Sequence, residues 1–243
     1  MRSTVAFHPM RREVFDFVGS SGTTLSGRLD LPDERARGAV LMAHCFTCTK
    51  DVHTQTRLSR ALVEAGYATM RFDFTGLGGS DGDFAATTVS SNLGDLRRAA
   101  MALIQRGVGP CGLLGHSLGG AIALSAVARR PAVRAVVAES TFPTYRGVAA
   151  ATVPWLSWLV PWLVSEGEDP VDALPKIPPR PLLVIHGTED HIVDYELGAS
   201  LFEAALEPKR FHRAKGADHF TPWVYEGEAF EGMLTEFFAE ALR

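Results

Sequence analysis

The sequence is poor in several features that would have placed it in another class of protein. It has only three cysteines, an odd number that specifies no disulfide framework and is typical of a reducing compartment. It lacks an apolar run of the roughly 20 residues that a membrane-spanning helix needs, and its first residues lack the apolar core of a signal peptide. Its formal net charge of -4 and pI near 6.1 give no electrostatic footprint for nucleic acid. These absences predict a cytoplasmic protein without a transmembrane segment or a nucleic-acid partner.

The residues that are present predict a large apolar core. Hydrophobic residues make up 46% of the chain and charged residues 21%, a balance typical of a globular protein. Strand-like apolar runs alternate with segments of helical periodicity, which predicts an α/β fold with a mostly parallel twisted sheet covered by helices. Strands are predicted at 13–18, 24–31, 38–43, 67–74, 111–115, 133–138, 181–186 and 209–213, the first two as an edge hairpin. Helices are predicted at 56–65, 89–106, 118–130, 195–206 and 225–242.

The alternation of strands and helices stops between Thr141 and Pro179, where proline and tryptophan are frequent. An α/β fold commonly reaches about 250 residues as one unit. We therefore expect a single domain over residues 1–243 with a short cap insertion at about 141–179.

One segment has the pattern of a catalytic nucleophile. A short apolar run leads to Gly115, Ser117 follows two positions later, and Gly119 two positions after that. This G-x-S-x-G pattern is typical of a sharp turn between a strand and a helix, at which larger residues in the two glycine positions would collide. Such a turn exposes the serine oxygen and directs a helix N-terminus at developing negative charge.

A nucleophilic serine needs a base and an acid, which follow it in the order Asp or Glu and then His in this architecture. His219 is the predicted base because it lies in a loop directly after a predicted strand, where α/β sheets bind their ligands. Asp190 is the predicted acid, since it follows the strand that ends at His186. Glu139, at the end of another strand, is the alternative acid. Asp218 is too close to His219 in sequence to reach the same ring.

An oxyanion hole requires two backbone N–H donors. Leu118, directly after the nucleophile, supplies one, and Phe46, in the loop after the strand ending at His44, is the candidate for the other. His44 itself is expected to brace that loop.

These motifs together resemble the α/β-hydrolase superfamily over nearly the whole chain, through the pairing of GHSLGG at 115–120 with HGTED at 186–190. The segments AHCFTCTKD at 43–51 and RFDFTGLGGSD at 71–81 are similar to the hydrolase half of bacterial proteins fused to an OsmC-like peroxide-reductase domain. From Glu139 onward, ESTFPTY and the short cap are similar to acyl-protein thioesterases and prolyl-oligopeptidase-related hydrolases. The resemblance implies cleavage of an ester, a thioester or an amide.

Two further motifs have alternative interpretations. Cys45 and Cys48 have the spacing of a thioredoxin-like redox pair, but we expect them to be reduced thiols beside the oxyanion loop. The glycines at 76, 78 and 79 could cradle a phosphate, but the segment lacks the lysine of a Walker loop. A tight turn at the rim of the active site is the favoured interpretation.

The predicted cap contains Trp155, Trp158 and Trp162, three of the four tryptophans in the chain. Large apolar side chains above a nucleophile would form a lid or an acyl pocket. Packing of these tryptophans on the body of the protein is the alternative. Docking on a membrane surface is less favoured, because the segment has little Lys or Arg.

The resulting hypothesis is a serine hydrolase that cleaves carboxylic esters of small-molecule acyl substrates, with Ser117, His219 and Asp190 as its triad. It requires neither a metal nor an organic cofactor. Thioester or peptide cleavage by the same triad is the alternative enzyme, and a non-catalytic or redox module based on Cys45 and Cys48 is the alternative of another class.

Overall fold

The computed structural model describes residues 10–46, 48–127, 133–151 and 168–243. The strands within these ranges are β1 (Arg11–Val14), β2 (Phe17–Val18), β3 (Thr24–Leu25), β4 (Gly27–Leu31), β5 (Ala39–Ala43), β6 (Ala68–Phe72), β7 (Cys111–His116), β8 (Val133–Glu139), β9 (Leu182–Gly187) and β10 (Lys209–Ala214). All the predicted strands are therefore present, but those at 13–18 and 24–31 are each divided into two strands, and the others shift slightly at their ends.

Eight of these strands form one sheet in the order β1-β4-β6-β5-β7-β8-β9-β10, and β2 pairs with β3 in a separate hairpin. The pairs β1/β4 and β4/β6 are antiparallel, and the strands from β6 to β10 are parallel. This arrangement confirms the predicted α/β fold. Because parallel strands end at the same edge, the loops after β5, β7, β8, β9 and β10 meet there.

Helices cover both faces of this sheet. They are α1 (His53–Glu64), α2 (Val89–Gln105), α3 (Leu118–Val127), α4 (Tyr145–Ala151), α5 (Pro170–Ala173), α6 (Tyr195–Ala204), α7 (Pro222–Glu226) and α8 (Glu228–Ala241). The predicted single helix at 225–242 is instead two helices, because Gly227 has a φ of 54° that ends α7 before α8 begins. Among the described residues, no helix is both long enough and apolar enough to cross a bilayer.

The core lies on both sides of the sheet, since successive side chains of a strand point to opposite faces. Leu113 of β7 belongs to the cluster that includes α2 and α3, whereas its neighbour Leu114 belongs to the cluster that includes α1 and α8. A strand buried on both faces has to be apolar throughout. This requirement explains why the central strands were predictable as continuous apolar runs.

A buried charged network fixes the segment between β5 and α1. The fully buried guanidinium of Arg71 donates to Asp30 Oδ2 at 2.9 Å, to the carbonyl of Lys50 at 2.6 Å and to Thr56 Oγ1 at 3.1 Å. Burial opposes ionisation of Asp30, but hydrogen bonds from Arg12, a serine of α1 and Arg71 leave its pKa below the ordinary value. The network therefore connects β4 and β6 to the loop that carries the predicted oxyanion donor.

Candidate active site

Ser117 lies between β7 and α3 with a left-handed φ of 55°, a conformation that is strained for a residue other than glycine. A Cβ atom added at Gly115 would lie 2.3 Å from the carbonyl oxygen of Gly119, and one added at Gly119 would lie 2.3 Å from that of Ala43. The Ser117 N–H donates to the carbonyl of Glu139 at 2.8 Å. The predicted steric requirement for glycine at both positions is thus confirmed, and neighbouring strands hold the turn in place.

Asp190 and His219 lie in the loops after β9 and β10. Asp190 Oδ2 is 2.8 Å from His219 Nδ1, and the His219 side chain is buried. The two loops are in contact: the Glu189 N–H donates to the carbonyl of Ala217 at 2.9 Å, and a Cβ at Gly187 would lie 2.3 Å from that same oxygen. Glycine at 187 therefore allows the acidic loop and the histidine loop to approach each other.

The histidine loop also contacts the turn that carries Ser117. The ring of His219 lies 4.8 Å, centroid to centroid, from the ring of His116, the residue before Ser117. The ends of β7, β9 and β10 thus place Ser117, Asp190 and His219 at the same edge of the sheet.

His186 is a partner of Asp190 that sequence reasoning missed. Its Nε2 donates to the carbonyl of Val193 at 2.9 Å and lies 3.2 Å from Asp190 Oδ2. The N–H groups of Ile192 and Val193 donate to Asp190 Oδ1 at 3.0 and 2.9 Å. Each carboxylate oxygen is therefore restrained, and the His219 ring is held against a fixed acceptor. The spacing of four residues between His186 and Asp190 was the available signal.

The environment controls the ionisation of both groups. Burial alone would raise the pKa of Asp190, but hydrogen bonds from His186 and His219 and the backbone donation from Val193 reverse this effect and lower it strongly. Burial lowers the pKa of His219 from its ordinary value near 6.5, and the Asp190 carboxylate offsets only part of that shift. At neutral pH the pair therefore consists of an ionised carboxylate and a neutral imidazole.

The two predicted oxyanion donors follow neighbouring strands at this edge, since β5 pairs with β7. Leu118 is the first residue of α3, so its N–H belongs to the first turn, where a helix has no internal acceptor. Phe46 is half-buried in the loop after β5, and its ring packs edge-on against Phe84 with centroids 5.0 Å apart.

His44 braces the Phe46 loop, as expected. Its Nδ1 is 2.6 Å from the carbonyl of Cys45, and its Nε2 accepts from the Phe74 N–H at 3.3 Å. Because a carbonyl can only accept, Nδ1 carries the proton. Burial lowers the pKa of His44 and keeps the ring neutral.

The expectation that Cys45 and Cys48 are reduced thiols is wrong, because the structure joins them in a disulfide. A tight turn brings them together: the Cys48 N–H donates to the carbonyl of Cys45 at 3.2 Å, and their Cα atoms are 5.2 Å apart, within the range for disulfides. The odd cysteine, Cys111, is buried in β7, where burial raises the pKa of its thiol to about 12. The disulfide thus encloses Phe46 in a short covalent ring.

The glycine-rich loop after β6 surrounds a carboxylate of the chain itself. Asp73 accepts hydrogen bonds from the Gly79 N–H at 2.8 Å and from the backbone N–H and Nζ of Lys50, both at 2.6 Å. A Cβ at Gly78 would lie 2.2 Å from Asp73 Oδ2. These donors are used by Asp73, which favours the interpretation of this segment as a structural turn.

The other carboxylates considered as the acid have different partners. The Glu139 carboxylate lies 3.5 Å from His116 Nδ1. Asp218 Oδ1 accepts from the Phe220 N–H at 2.9 Å and from Thr221 Oγ1 at 2.8 Å within its own turn. Asp190 is the carboxylate that contacts the His219 ring.

Trp155, Trp158 and Trp162, the predicted pocket residues, lie outside the described residues. Their part in a substrate pocket stays a prediction.

The family model described as serine aminopeptidase, S33, matches residues 34–180. YfhR of Escherichia coli K12, an uncharacterized protein, is 27% identical over 245 residues, which cover 96% of this chain and 83% of YfhR.

Solved structures of similar proteins have the same fold. The esterase domain of a Rhodothermus marinus protein is 32% identical, with a TM-score of 0.76 and coverage of 97% of this chain and 100% of that one. The Pyrococcus furiosus esterase Pf2001 has a TM-score of 0.81 at 20% identity, covering 96% of this chain and 92% of that one. At 20% identity the likeness is one of fold alone.

Proposed function

Because the chain belongs to the serine aminopeptidase S33 family of the α/β-hydrolase superfamily, and is therefore a hydrolase, we propose that it cleaves carboxylic esters with a triad of Ser117, His219 and Asp190. The observation that carries the proposal is the 2.8 Å contact between Asp190 and His219 at the sheet edge where the strained Ser117 turn lies. A histidine oriented by a carboxylate, in a loop that contacts the turn of a half-buried serine, supports nucleophilic acyl transfer.

In the first step, His219 Nε2 takes the proton of the Ser117 hydroxyl while the serine oxygen attacks the acyl carbon. Asp190 keeps the other ring proton on Nδ1 and stabilises the imidazolium. The negative charge that develops on the carbonyl oxygen is stabilised by the N–H groups of Leu118 and Phe46. The position of Leu118 at the start of α3 adds the positive end of the helix dipole.

In the second step, the bond between the acyl carbon and the alcohol oxygen breaks, and His219 gives its proton to the leaving alcohol. Water then attacks the acyl-enzyme, with His219 as base, and releases the carboxylic acid and the free Ser117 hydroxyl. The sequence of proton transfers requires neither a metal ion nor an organic cofactor.

The choice of an ester as substrate is supported by the 32% identical esterase domain of Rhodothermus marinus. The tryptophan-rich segment that contains Trp155, Trp158 and Trp162 would provide an apolar pocket for a small to medium acyl group. The description of the family supports amide cleavage as a second candidate. The same triad could act on esters and on amides. Parallel assays with p-nitrophenyl acetate and with aminoacyl p-nitroanilides therefore distinguish the two candidates by which substrate is hydrolysed faster.

Fluorophosphonate labelling tests the nucleophile directly. The wild-type protein should be labelled at Ser117, and Ser117→Ala should abolish both the labelling and the turnover of p-nitrophenyl acetate. Ser200→Ala, which removes an exposed hydroxyl from α6, is the matched control and should be labelled like the wild type. Labelling that persists in Ser117→Ala would overturn the assignment.

A further inference from the structure

A cavity of about 180 Å³ lies beside the candidate active site, between the first half of α1 and the ends of β7 and β8. Its apolar wall is formed by Val52, Leu58, Leu114, Phe220 and the Cys45–Cys48 disulfide. Since an apolar cavity of about 150 Å³ can hold benzene, this one has room for about six non-hydrogen atoms.

Beside the half-buried Thr54, three buried polar side chains also line the cavity: Gln55, His116 and Glu139. They are 4%, 9% and 3% exposed. Both amide atoms of Gln55 and the Nε2 of His116 have no hydrogen-bond partner among the described residues. Buried polar atoms of native proteins are almost always paired, because leaving them unpaired is costly. Their arrangement around one cavity therefore points to a ligand that hydrogen-bonds to them.

The donors and acceptors of these side chains define the ligand. Because the Glu139 carboxylate lies 3.5 Å from His116 Nδ1, it favours a proton on Nδ1 and leaves Nε2 as an acceptor. The carboxylate and the Gln55 carbonyl are acceptors too, and the Gln55 amide nitrogen is the donor among the three. A group that carries an O–H or N–H donor fits this set. A carboxylate does not, since Glu139 would repel it.

The cavity adjoins the catalytic groups proposed above. Two of its lining residues, His116 and Phe220, are the sequence neighbours of Ser117 and His219. The ring centroid of His219 is 4.8 Å from each of the rings of His116 and Phe220, and the carbonyl of Glu139 accepts the Ser117 N–H. A substituent of an ester bound at Ser117 is therefore the ligand in position to use the cavity.

We infer that the cavity is a specificity subsite that binds a short substituent of the ester ending in a neutral hydrogen-bond donor, a hydroxyl or a primary carboxamide, with Gln55 as the specificity-determining residue. The inference rests on the proposed function. The substituent belongs either to the acyl group or to the alcohol, and the two sources share the same chemistry.

Pairs of esters that exchange a terminal methyl for a hydroxyl test the subsite. In the acyl arm, ethyl 6-hydroxyhexanoate is compared with ethyl heptanoate, and monoethyl adipate adds a carboxylate at the end. In the alcohol arm, 5-hydroxypentyl acetate is compared with hexyl acetate. Acid release is followed in a pH-stat, and the measured quantity is the ratio of kcat/KM for the hydroxyl ester to that for the methyl ester.

Gln55→Leu should lower this ratio by about tenfold in one arm, which identifies the source of the substituent, because the hydroxyl loses its partner while the methyl gains an apolar one. A general loss of activity cancels in the ratio. Gln55→Met, which keeps the unbranched shape, should give the same result if the leucine variant does not fold. Gln105→Leu, an exposed glutamine at the end of α2, is the control and should leave the ratio as in the wild type.

The inference would be overturned if Gln55→Leu left the ratio unchanged in both arms, or if monoethyl adipate were hydrolysed faster than ethyl 6-hydroxyhexanoate. The cavity would then be interpreted as a site for buried water. Saturation-transfer NMR with pentan-1-ol separates failure of the subsite from failure of the proposed function. If no ester is hydrolysed but the alcohol binds the wild type and not Gln55→Leu, the subsite stands and the esterase proposal falls. Absence of binding in the wild type contradicts the subsite.

Discussion

The replacement Asp190→Asn tests how the acid controls the proton on His219. The N–H groups of Ile192 and Val193 donate to Asp190 Oδ1 at 3.0 and 2.9 Å. An asparagine must keep its carbonyl oxygen at this position, because its NH₂ group would face two donors. The NH₂ group then replaces Oδ2, which lies 2.8 Å from His219 Nδ1.

The amide in this orientation donates to Nδ1, so the proton of the neutral ring moves to Nε2. That nitrogen can no longer accept the proton of Ser117. We expect kcat for p-nitrophenyl acetate to fall by about 10⁴-fold, the effect of the wrong tautomer in a triad, which corresponds to about 5 kcal/mol of transition-state stabilisation. KM should change little, because the carboxylate acts through the histidine and has no contact with the substrate.

The measurement is steady-state hydrolysis of p-nitrophenyl acetate by purified wild-type and variant protein, with thermal unfolding to verify the fold. Asp194→Asn is the matched control, since Asp194 is an exposed aspartate of the same loop and should keep the wild-type rate. If Asp190→Asn were as active as this control, the proposed role of Asp190 would be refuted.

Three other expectations follow from the structure. Because burial lowers the pKa of His219 and its neutral form is the base, kcat/KM should decrease as the pH falls, with a midpoint below the ordinary pKa of 6.5; a pH-rate profile checks this. Reduction of the Cys45–Cys48 disulfide should lower ester turnover, by up to about 10²-fold if one oxyanion donor is displaced, as measured before and after treatment with a dithiol. Arg71→Met should destabilise the protein by about 3–5 kcal/mol in urea unfolding, because it removes the buried partner of Asp30, whereas Arg71→Met/Asp30→Leu should recover part of this loss.

Each of these expectations has its own control. A midpoint above 6.5 would contradict the lowered pKa of His219. The dithiol should have no effect on Cys45→Ser/Cys48→Ser, which has no disulfide to reduce. Arg106→Met removes an exposed arginine and should change the free energy of unfolding little. Equal destabilisation by Arg71→Met and Arg106→Met would show that the buried network does not stabilise the fold.

The parts of the molecule that were predictable are those determined by short segments. The turn at Ser117 depends on close contacts of Gly115 and Gly119, which only small residues allow. The turn can therefore be recognised from the five residues of the G-x-S-x-G pattern. The central strands were predictable for a similar reason, since burial on both faces leaves a continuous apolar run. The break at Gly227 was not predictable, because the residues on both sides of it have helical periodicity and a glycine within a helix is tolerated.

The state of Cys45 and Cys48 was mispredicted because a count of cysteines says nothing about the path of the chain between them. The turn in which the Cys48 N–H donates to the carbonyl of Cys45 brings the two sulfurs together, and its geometry depends on the bracing of the loop by His44. The expectation of a cytoplasmic location used the same count as an argument. The cytoplasmic location stays a prediction, but the number of cysteines no longer supports it.

The partners of the acid were beyond sequence reasoning for a different reason. His186 lies four positions before Asp190, but a histidine at the end of a strand could serve as a base, a core residue or a brace. Its role is decided by the carbonyl of Val193, which accepts from Nε2 and so turns that edge of the ring toward Asp190 Oδ2. Rotation of the carboxylate away from His219 would therefore also break its contact with His186. The orientation of the proposed base thus depends on His186, which the HGTED motif contains but to which the sequence alone assigned no role.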